Sequence, residues 1–293
     1  MATKIKTRFL RNKDLIPLES LSTISVIGLG GIGSFLIQGL AMMGWHKVIG
    51  YDSDVIEDHN LSTTCYPLDE TGNAKKDSAQ GLFSAYSENW QEFIPKDNFT
   101  INDKVTPKMI VCTDDMESRR MVFNKWSKSD NPHFFIDMRM GATSVEMVTC
   151  TPSNIEVYDK HWVPTHTIPP APCSMKHTVF ATNHIVSLGL AQIYNIVANL
   201  AYYDYIWTSL NPNMVEFGTL ITPKIQEVSV DTSKKIKVEV KEYKEQHEKL
   251  ANRLVDIAHE LKNPLTSLRS ASETLEKVNT KSEQKKLTNI IKQ

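Results

Sequence analysis

Gly28, Gly30, Gly31 and Gly33 fall within six residues, and Asp52, Asp54, Lys75 and Asp114 follow at wider intervals. Clustered glycines let a chain turn tightly and bring backbone N–H groups up to a phosphate. A carboxylate can accept hydrogen bonds from ribose hydroxyls. A lysine offsets phosphate charge, and a second carboxylate can hold Mg2+ against a polyphosphate. Glycines for phosphate, Asp52 for ribose, Lys75 for phosphate charge and Asp114 for metal together suit attack on the α-phosphate of ATP.

Such residues need elements to hold them. The β-branched run Ile24-Ser25-Val26-Ile27 leads into the glycine cluster, a helix is expected over 35–43, and Gly44 ends it. Residues 47–51 read as a second strand with Asp52 at its end. This is a βαβ unit with a glycine turn at the helix N-terminus, where the helix dipole favours an anion. The same pattern marks an ordinary strand–helix turn, and a nicotinamide dehydrogenase uses it too. The residues from Asp52 onward argue against the dehydrogenase: Asp52, Asp54 and Asn60 put two carboxylates and an amide just past the strand. Lys75 then opens the next helix, after Gly72-Asn73-Ala74. Lys108-Met109-Ile110-Val111-Cys112 reads as a buried strand ending in Thr113-Asp114-Asp115, beside the phosphate turn. Plainer readings stand beside these. Lys75 or Lys76 is a solvated surface lysine, and Asp114 is an N-cap for the helix through Arg119, alone or in addition to a metal role.

Residues 8 to about 200 resemble the E1-like activating enzymes, the ThiF/MoeB/HesA superfamily. Arg8-Phe9-Leu10-Arg11-Asn12 is similar to the family's RYxRQ opening, and Gly28 to Ser34 match its GxGGxGS turn. Asp52-x-Asp54 with Asn60-Leu61 resembles its DxDxVxxxNL block, Gly72 to Lys75 its GxxK, and Cys112-Thr113-Asp114-Asp115 its CTDN. The five motifs occur in order and in register. The resemblance implies that Asp52 binds ribose, Lys75 the phosphates and Asp114 the magnesium. It also implies that Asn60 orders the nucleotide and that Arg11 reaches the phosphates across a homodimer interface. The implied reaction adenylates the C-terminal carboxylate of a ubiquitin-like or sulfur-carrier protein or a peptide, with ATP and Mg2+ as cofactors. Two departures stand out. The family's arginine after Asn-Leu is replaced, since Leu61 is followed by Ser62-Thr63-Thr64, and its paired CxxC motif is absent, so no zinc is expected.

Phe134-Phe135-Ile136-Asp137-Met138-Arg139-Met140-Gly141 reads as a strand and a polar turn. The Arg139 fork either binds a carboxylate or forms a structural ion pair with Asp137 or Glu146. Residues 144–149 are expected to form an edge strand facing a bound protein tail. Cys173 sits in the proline-rich run Pro169-Pro170-Ala171-Pro172, near Lys176 and His177. It is read either as a thioester nucleophile of lowered pKa or as a small loop residue. Cys112 reads as a strand-buried apolar residue. The most apolar stretch, 184–207, carries His184, Asn195, Asn199 and Asp204, which suits a buried helix over 180–203 better than a membrane span.

From Lys241 onward the pattern changes. Leu250, Leu254, Ile257, Leu261, Leu265, Leu268, Ala271, Leu275 and Val278 recur at steps of three and four, the seam of a long amphipathic helix. His259 lies off that seam, and Pro264 is expected to kink the helix. His259-Glu260-Leu261-Lys262-Asn263-Pro264-Leu265-Thr266 resembles the phosphoacceptor box of sensor histidine kinases. That resemblance makes His259 the phosphoacceptor and Glu260 its base. It also implies a response regulator or kinase partner. No catalytic ATP-binding domain follows before Gln293, so autonomous histidine kinase activity is not expected.

Composition fits two modules. The 293 residues carry 33 Lys+Arg against 34 Asp+Glu, a net charge of −1, which excludes a strongly basic nucleic-acid binder. That balance hides a seam: residues 223–293 hold 15 Lys/Arg and 11 Asp/Glu, so a tail of about +4 follows a body of about −5. At 41% hydrophobic the chain can bury a core, and its four widely spaced cysteines suit a reducing, cytoplasmic setting. The N-terminus lacks the apolar core of a signal peptide. The expected architecture is an α/β, Rossmann-like E1/ThiF adenylation domain over 1–222, a linker over 223–240, and an amphipathic helical hairpin over 241–293 that forms part of a four-helix bundle. Three functions compete: an adenylating enzyme, a phosphoacceptor fragment in phosphorelay signalling, and a fused or truncated reading frame with an inert tail.

Overall fold

The computed structural model describes residues 7–12, 15–168 and 177–223. The chain divides into two units at Pro223, and every described residue lies in the first. Elements follow in chain order as β1 (Thr23–Ile27), α1 (Gly31–Met43), β2 (Lys47–Tyr51), α2 (Lys75–Tyr86), β3 (Glu92–Lys96), β4 (Lys108–Val111) and α3 (Met116–Ser127). Then come β5 (Phe134–Met140), β6 (Ser144–Cys150), α4 (Val157–His161), α5 (Val179–Val197), β7 (Tyr202–Tyr203), β8 (Tyr205–Leu210), β9 (Asn213–Phe217) and β10 (Leu220–Ile221).

Eight strands form one sheet in the order β3-β2-β1-β4-β5-β6-β8-β9, and β7 pairs with β10 separately. The first five run parallel, and β6, β8 and β9 join antiparallel. Order reverses at β1, with β2 on one side and β4 on the other. A crevice at the carboxyl ends of strands opens at such a switch point.

Strand alternation sorts side chains onto two faces. Ile24, Val26, Ile110, Phe134, Ile136 and Met138 pack with α1, α2 and α5. Ile27, Met109, Val111 and Phe135 pack with Val122, Phe123 and Trp126 of α3 and Tyr158 of α4. Leu36, Ile37 and Leu40 of α1 are completely buried. Each contributes about 1.5–3 kcal/mol of burial. That packing anchors the helix whose N-terminus faces the crevice.

Three sequence expectations need correction. Residues 144–149 lie in β6, which is paired on both sides by β5 and β8 and so is no edge strand. The apolar helix stops at Val197 rather than 203; Asn199 adopts φ 55°, and β7 and β8 take up the remaining apolar residues. The residue that caps α3 is Asp115, whose carboxylate accepts from the Ser118 N–H, and not Asp114. No helix among the described residues is long and apolar enough to cross a membrane.

Candidate active site

The glycine turn is shaped by close backbone approach. Gly28 has φ +91°, and a Cβ there would lie 2.9 Å from both the Cys112 carbonyl carbon and the Thr113 nitrogen. A Cβ on Gly33 would stand 2.0 Å from the Gly28 oxygen. Any side chain at either position would push α1 or β4 away from the turn. Nothing lies within 4 Å of a Cβ on Gly30, so the turn is open on that side. No side chain caps α1, whose N-cap is Gly30. The first N–H groups of a helix have no intrahelical partner, and here they face the open side with the positive end of the dipole.

Asp52 follows β2 and is 8% exposed. Its carboxylate accepts from the Leu29 N–H at 2.7 Å and the Asp54 N–H at 2.9 Å. Burial raises its pKa, and those two N–H groups and Lys75 only partly offset the rise. The Lys75 ammonium pairs with Asp54 at 2.9 Å, and the Lys75 N–H donates to the Asp54 carbonyl. Glycine turn, Asp52, Asp54 and Lys75 thus form one connected group. Tyr66 completes it: its hydroxyl donates to the Leu29 carbonyl at 2.7 Å and lies 3.3 Å from that of Lys75.

Asn60 stands apart from that group. Its side-chain oxygen accepts from the Glu57 N–H at 3.1 Å in a capping box on a short 3-10 turn. The next segment passes over α1. The Ser34 hydroxyl accepts from the Cys65 N–H, and the Thr63 oxygen lies 3.3 Å from a Cβ on Gly31. Where the resembling family carries its arginine, Thr63 and Thr64 are each 9% exposed. The Thr63 hydroxyl donates to the Asn60 carbonyl, and the Thr64 hydroxyl has no partner among the described residues.

Asp114 is exposed one residue past Thr113, whose nitrogen abuts Gly28. Among the described residues no three His, Cys, Asp or Glu side chains gather as a metal site. A lone carboxylate still fits magnesium, which keeps several waters and takes one or two carboxylates plus substrate phosphate oxygens. An open, uncapped helix N-terminus beside it fits a polyphosphate.

Behind this surface lies a buried charge network. Asp137 is fully buried on β5 and pairs with both Arg119 and Arg139. Tyr158 donates to it at 3.0 Å. Burial alone would raise the Asp137 carboxyl, but the two guanidinium groups and the phenol hold it below its ordinary value. Arg139 also pairs with Glu146 at 3.2 Å and donates to the His161 carbonyl at 2.7 Å. Its fork is therefore engaged within the fold.

The structure brings Gly28, Gly30, Gly31, Gly33, Asp52, Asp54, Lys75 and Asp114 to one end of the sheet. It does not bring Arg11 there. Neighbouring Phe9 lies against Gly44 at the other end of α1, and thirteen residues of helix span about 20 Å. Cys173, His259 and Glu260 lie outside the described residues. Cys112 is half-buried, and its surroundings push its thiol up to about 12. Tyr66 and Arg119 escaped the sequence reading. Tyr66 left no signal, being one aromatic in a loop. Arg119 left one: it shares the buried face of α3 with Met116, Phe123 and Trp126 at steps of three and four, where a charge needs a partner.

Comparison with known proteins agrees with this fold. Crystal structures of E. coli MccB align with TM-score 0.57 at 15% identity, covering 77% of this chain and 72% of that one. MccB with ATP aligns at 0.55 and 14% identity, covering 72% and 68%. PaaA, solved as its selenomethionine form, aligns at 0.52 and 15% identity over 69% of this chain. The chain spans 66% of PaaA, about two thirds of its length. At such identity these likenesses show the α/β fold. No curated protein matches the chain in sequence. Residues 251–293 match the model of the His Kinase A (phospho-acceptor) domain, in keeping with the histidine box at 259–266. Residues 3–217 match the model of the ThiF family, and the chain belongs to that family.

Proposed function

We propose that the protein is an ATP-dependent adenylyltransferase that activates the C-terminal carboxylate of a ubiquitin-like protein, a sulfur-carrier protein or a peptide. The observation that carries the reading is the abutment of Thr113 on Gly28, which sets Asp114 beside an uncapped helix N-terminus, with Asp52 bonded to the same turn. In the reaction a carboxylate oxygen of the acceptor attacks the α-phosphorus of ATP. The bond from that phosphorus to the bridging oxygen breaks, and pyrophosphate leaves. An acyl-adenylate remains.

The chain's own groups bind and orient. The N–H groups at the start of α1 hold phosphate oxygens, and Asp52 accepts from the ribose hydroxyls. Lys75 leaves Asp54 for a phosphate as negative charge develops on the departing group. Asn60 orders the nucleotide side, and Arg11 enters from a second copy in a homodimer. Asp114 would hold Mg2+, which supplies charge neutralisation on the phosphates. Holding carboxylate and ATP together replaces a bimolecular encounter. The structures of MccB with MccA support a peptide as acceptor. Cys173 acts after adenylation: its sulfur attacks the acyl carbon, the bond from that carbon to the adenylate oxygen breaks, and AMP leaves a thioester.

Acceptor-dependent exchange of labelled pyrophosphate into ATP tests the reading. Activity in the wild type and its loss in Asp114→Ala are expected. Exchange that survives in Asp114→Ala would overturn the assignment.

A second reading rests on the match at 251–293. There His259 accepts a phosphoryl group from a kinase catalytic domain in trans, with Glu260 as base, and passes it to a response regulator. Phosphorylation of the wild type but not of His259→Gln by such a domain is expected. No labelling of the wild type would end that reading.

A further inference from the structure

We infer that Arg119 is a positioning residue for Asp114: by grasping the Thr113 carbonyl from below, it sets how strongly magnesium tightens nucleotide binding. The inference rests on the proposed role of Asp114 as the magnesium ligand.

Asp114 itself bonds to nothing among the described residues, yet both of its neighbours are fixed. On one side, Nη2 of Arg119 donates to the Thr113 carbonyl, while the Thr113 nitrogen lies against Gly28. On the other, the Asp115 carboxylate caps α3 at 2.6 Å from the Ser118 nitrogen, and Met116 N–H donates to the Thr165 hydroxyl at 3.1 Å. Only the Asp114 side chain is left to turn, and it projects from a backbone held at both ends.

Arg119 reaches further than one carbonyl. Nη1 meets Asp137, the Met138 carbonyl at 3.0 Å and the Val111 carbonyl at 3.5 Å. One planar group therefore ties the ends of β4 and β5 to the residue that precedes Asp114. A guanidinium presents five donors in a rigid fork, and an ammonium does not. Arg119 is 4% exposed and lies under the site, so it acts through Thr113 and Asp114 rather than on the nucleotide.

Charge and geometry can be separated by Arg119→Lys. The lysine still neutralises Asp137 but cannot span Thr113, Met138 and Asp137 together. The measurement is ATP affinity of the full chain by titration calorimetry, with Mg2+ and with EDTA, taken as a ratio. In the wild type Mg2+ is expected to tighten ATP. In Asp114→Ala that gain should vanish. In Arg119→Lys the EDTA affinity should stay within about twofold of wild type, while the magnesium gain falls about tenfold, as for other partners that orient a metal ligand. The double variant should lose no more than Asp114→Ala.

An unchanged magnesium gain in Arg119→Lys overturns the inference, and so does an equal loss with and without the metal. An unchanged gain in Asp114→Ala overturns the metal role of Asp114 instead. If Arg119→Lys does not fold, Arg119→Gln carries the test, since its amide cannot span Thr113 and Asp137 together while Arg139 still pairs with Asp137, and a wild-type ratio there is equally fatal.

Discussion

The Lys75 ammonium lies 2.9 Å from the Asp54 carboxylate, and the Lys75 side chain is 11% exposed against 68% for Asp54. A mostly solvated carboxylate therefore holds a mostly buried cation at the edge of the glycine turn. On the proposed reading an exchange of Asp54 for phosphate is cheap, because a pair open to water on one side is worth only about 0.2–1 kcal/mol.

Lys75→Ala should lower ATP affinity about tenfold or more, roughly 1.4 kcal/mol. Asp54→Asn should do the opposite, tightening ATP by less than about fivefold, since it removes only a weak competitor. Calorimetry distinguishes the two. An Asp54→Asn variant as damaged as Lys75→Ala would place Asp54 directly on the nucleotide.

Nucleotide binding should carry an acid limb from Asp52. Burial raises this carboxyl above its ordinary 3.8. Its ionised form is the better ribose acceptor, so affinity should fall as pH drops through a value above 3.8. The linked effect on folding has the opposite sign. Between 3.8 and the folded value the native state binds more protons than the unfolded chain, so Asp52 makes stability fall with rising pH. Asp52→Asn should weaken ATP at neutral pH and flatten the limb. An unaltered limb in that variant would assign it elsewhere.

Asp137 should dominate the acid lability of the fold. Arg119, Arg139 and Tyr158 hold it below 3.8, so its contribution is complete above that value and is lost as pH falls through the lower folded value. Asp137→Ala strands two buried guanidinium groups and should cost about 3–5 kcal/mol in urea denaturation. A cost below about 1 kcal/mol would mean that Glu146 and the carbonyls satisfy both arginines without it.

Thiol reactivity should isolate Cys173. Burial raises Cys65 and Cys150, and Cys112 is pushed up to about 12. A thiolate is the reactive form, so these three should be slow towards a disulfide reagent at neutral pH. One fast thiol is expected in the native protein, absent in Cys173→Ser. A fast thiol that persists in Cys173→Ser would remove the reason to place a thioester there.

Much of the site was legible because it is local. The turn from Gly28 to Gly33 lies within one strand–helix junction, and Asp52 closes the next strand. Both positions follow from periodicity and glycine chemistry, which act over a few residues. Asp114 was legible for the same reason, as the end of an apolar run, while its neighbour Asp115 took the capping role. Either aspartate satisfies a capping pattern on paper, and only the entry angle of α3 chooses between them. Residues 144–149 went astray for a related reason. Alternation announces a strand but does not say how many neighbours it has, and β8 covers the side expected to be open.

By itself the sequence determined the family, the glycine turn and the strand ends beside it, because glycine, strand and helix signals are short-range. Tertiary structure alone decided which polar groups meet: Lys75 with Asp54, Tyr66 with the Leu29 carbonyl, and Arg119 with Asp137 and the Thr113 carbonyl. Those partners stand six to 37 residues apart along the chain. A buried charge must find an opposite charge or a carbonyl, but its sequence does not say which one; that is fixed when β4, β5 and α3 pack.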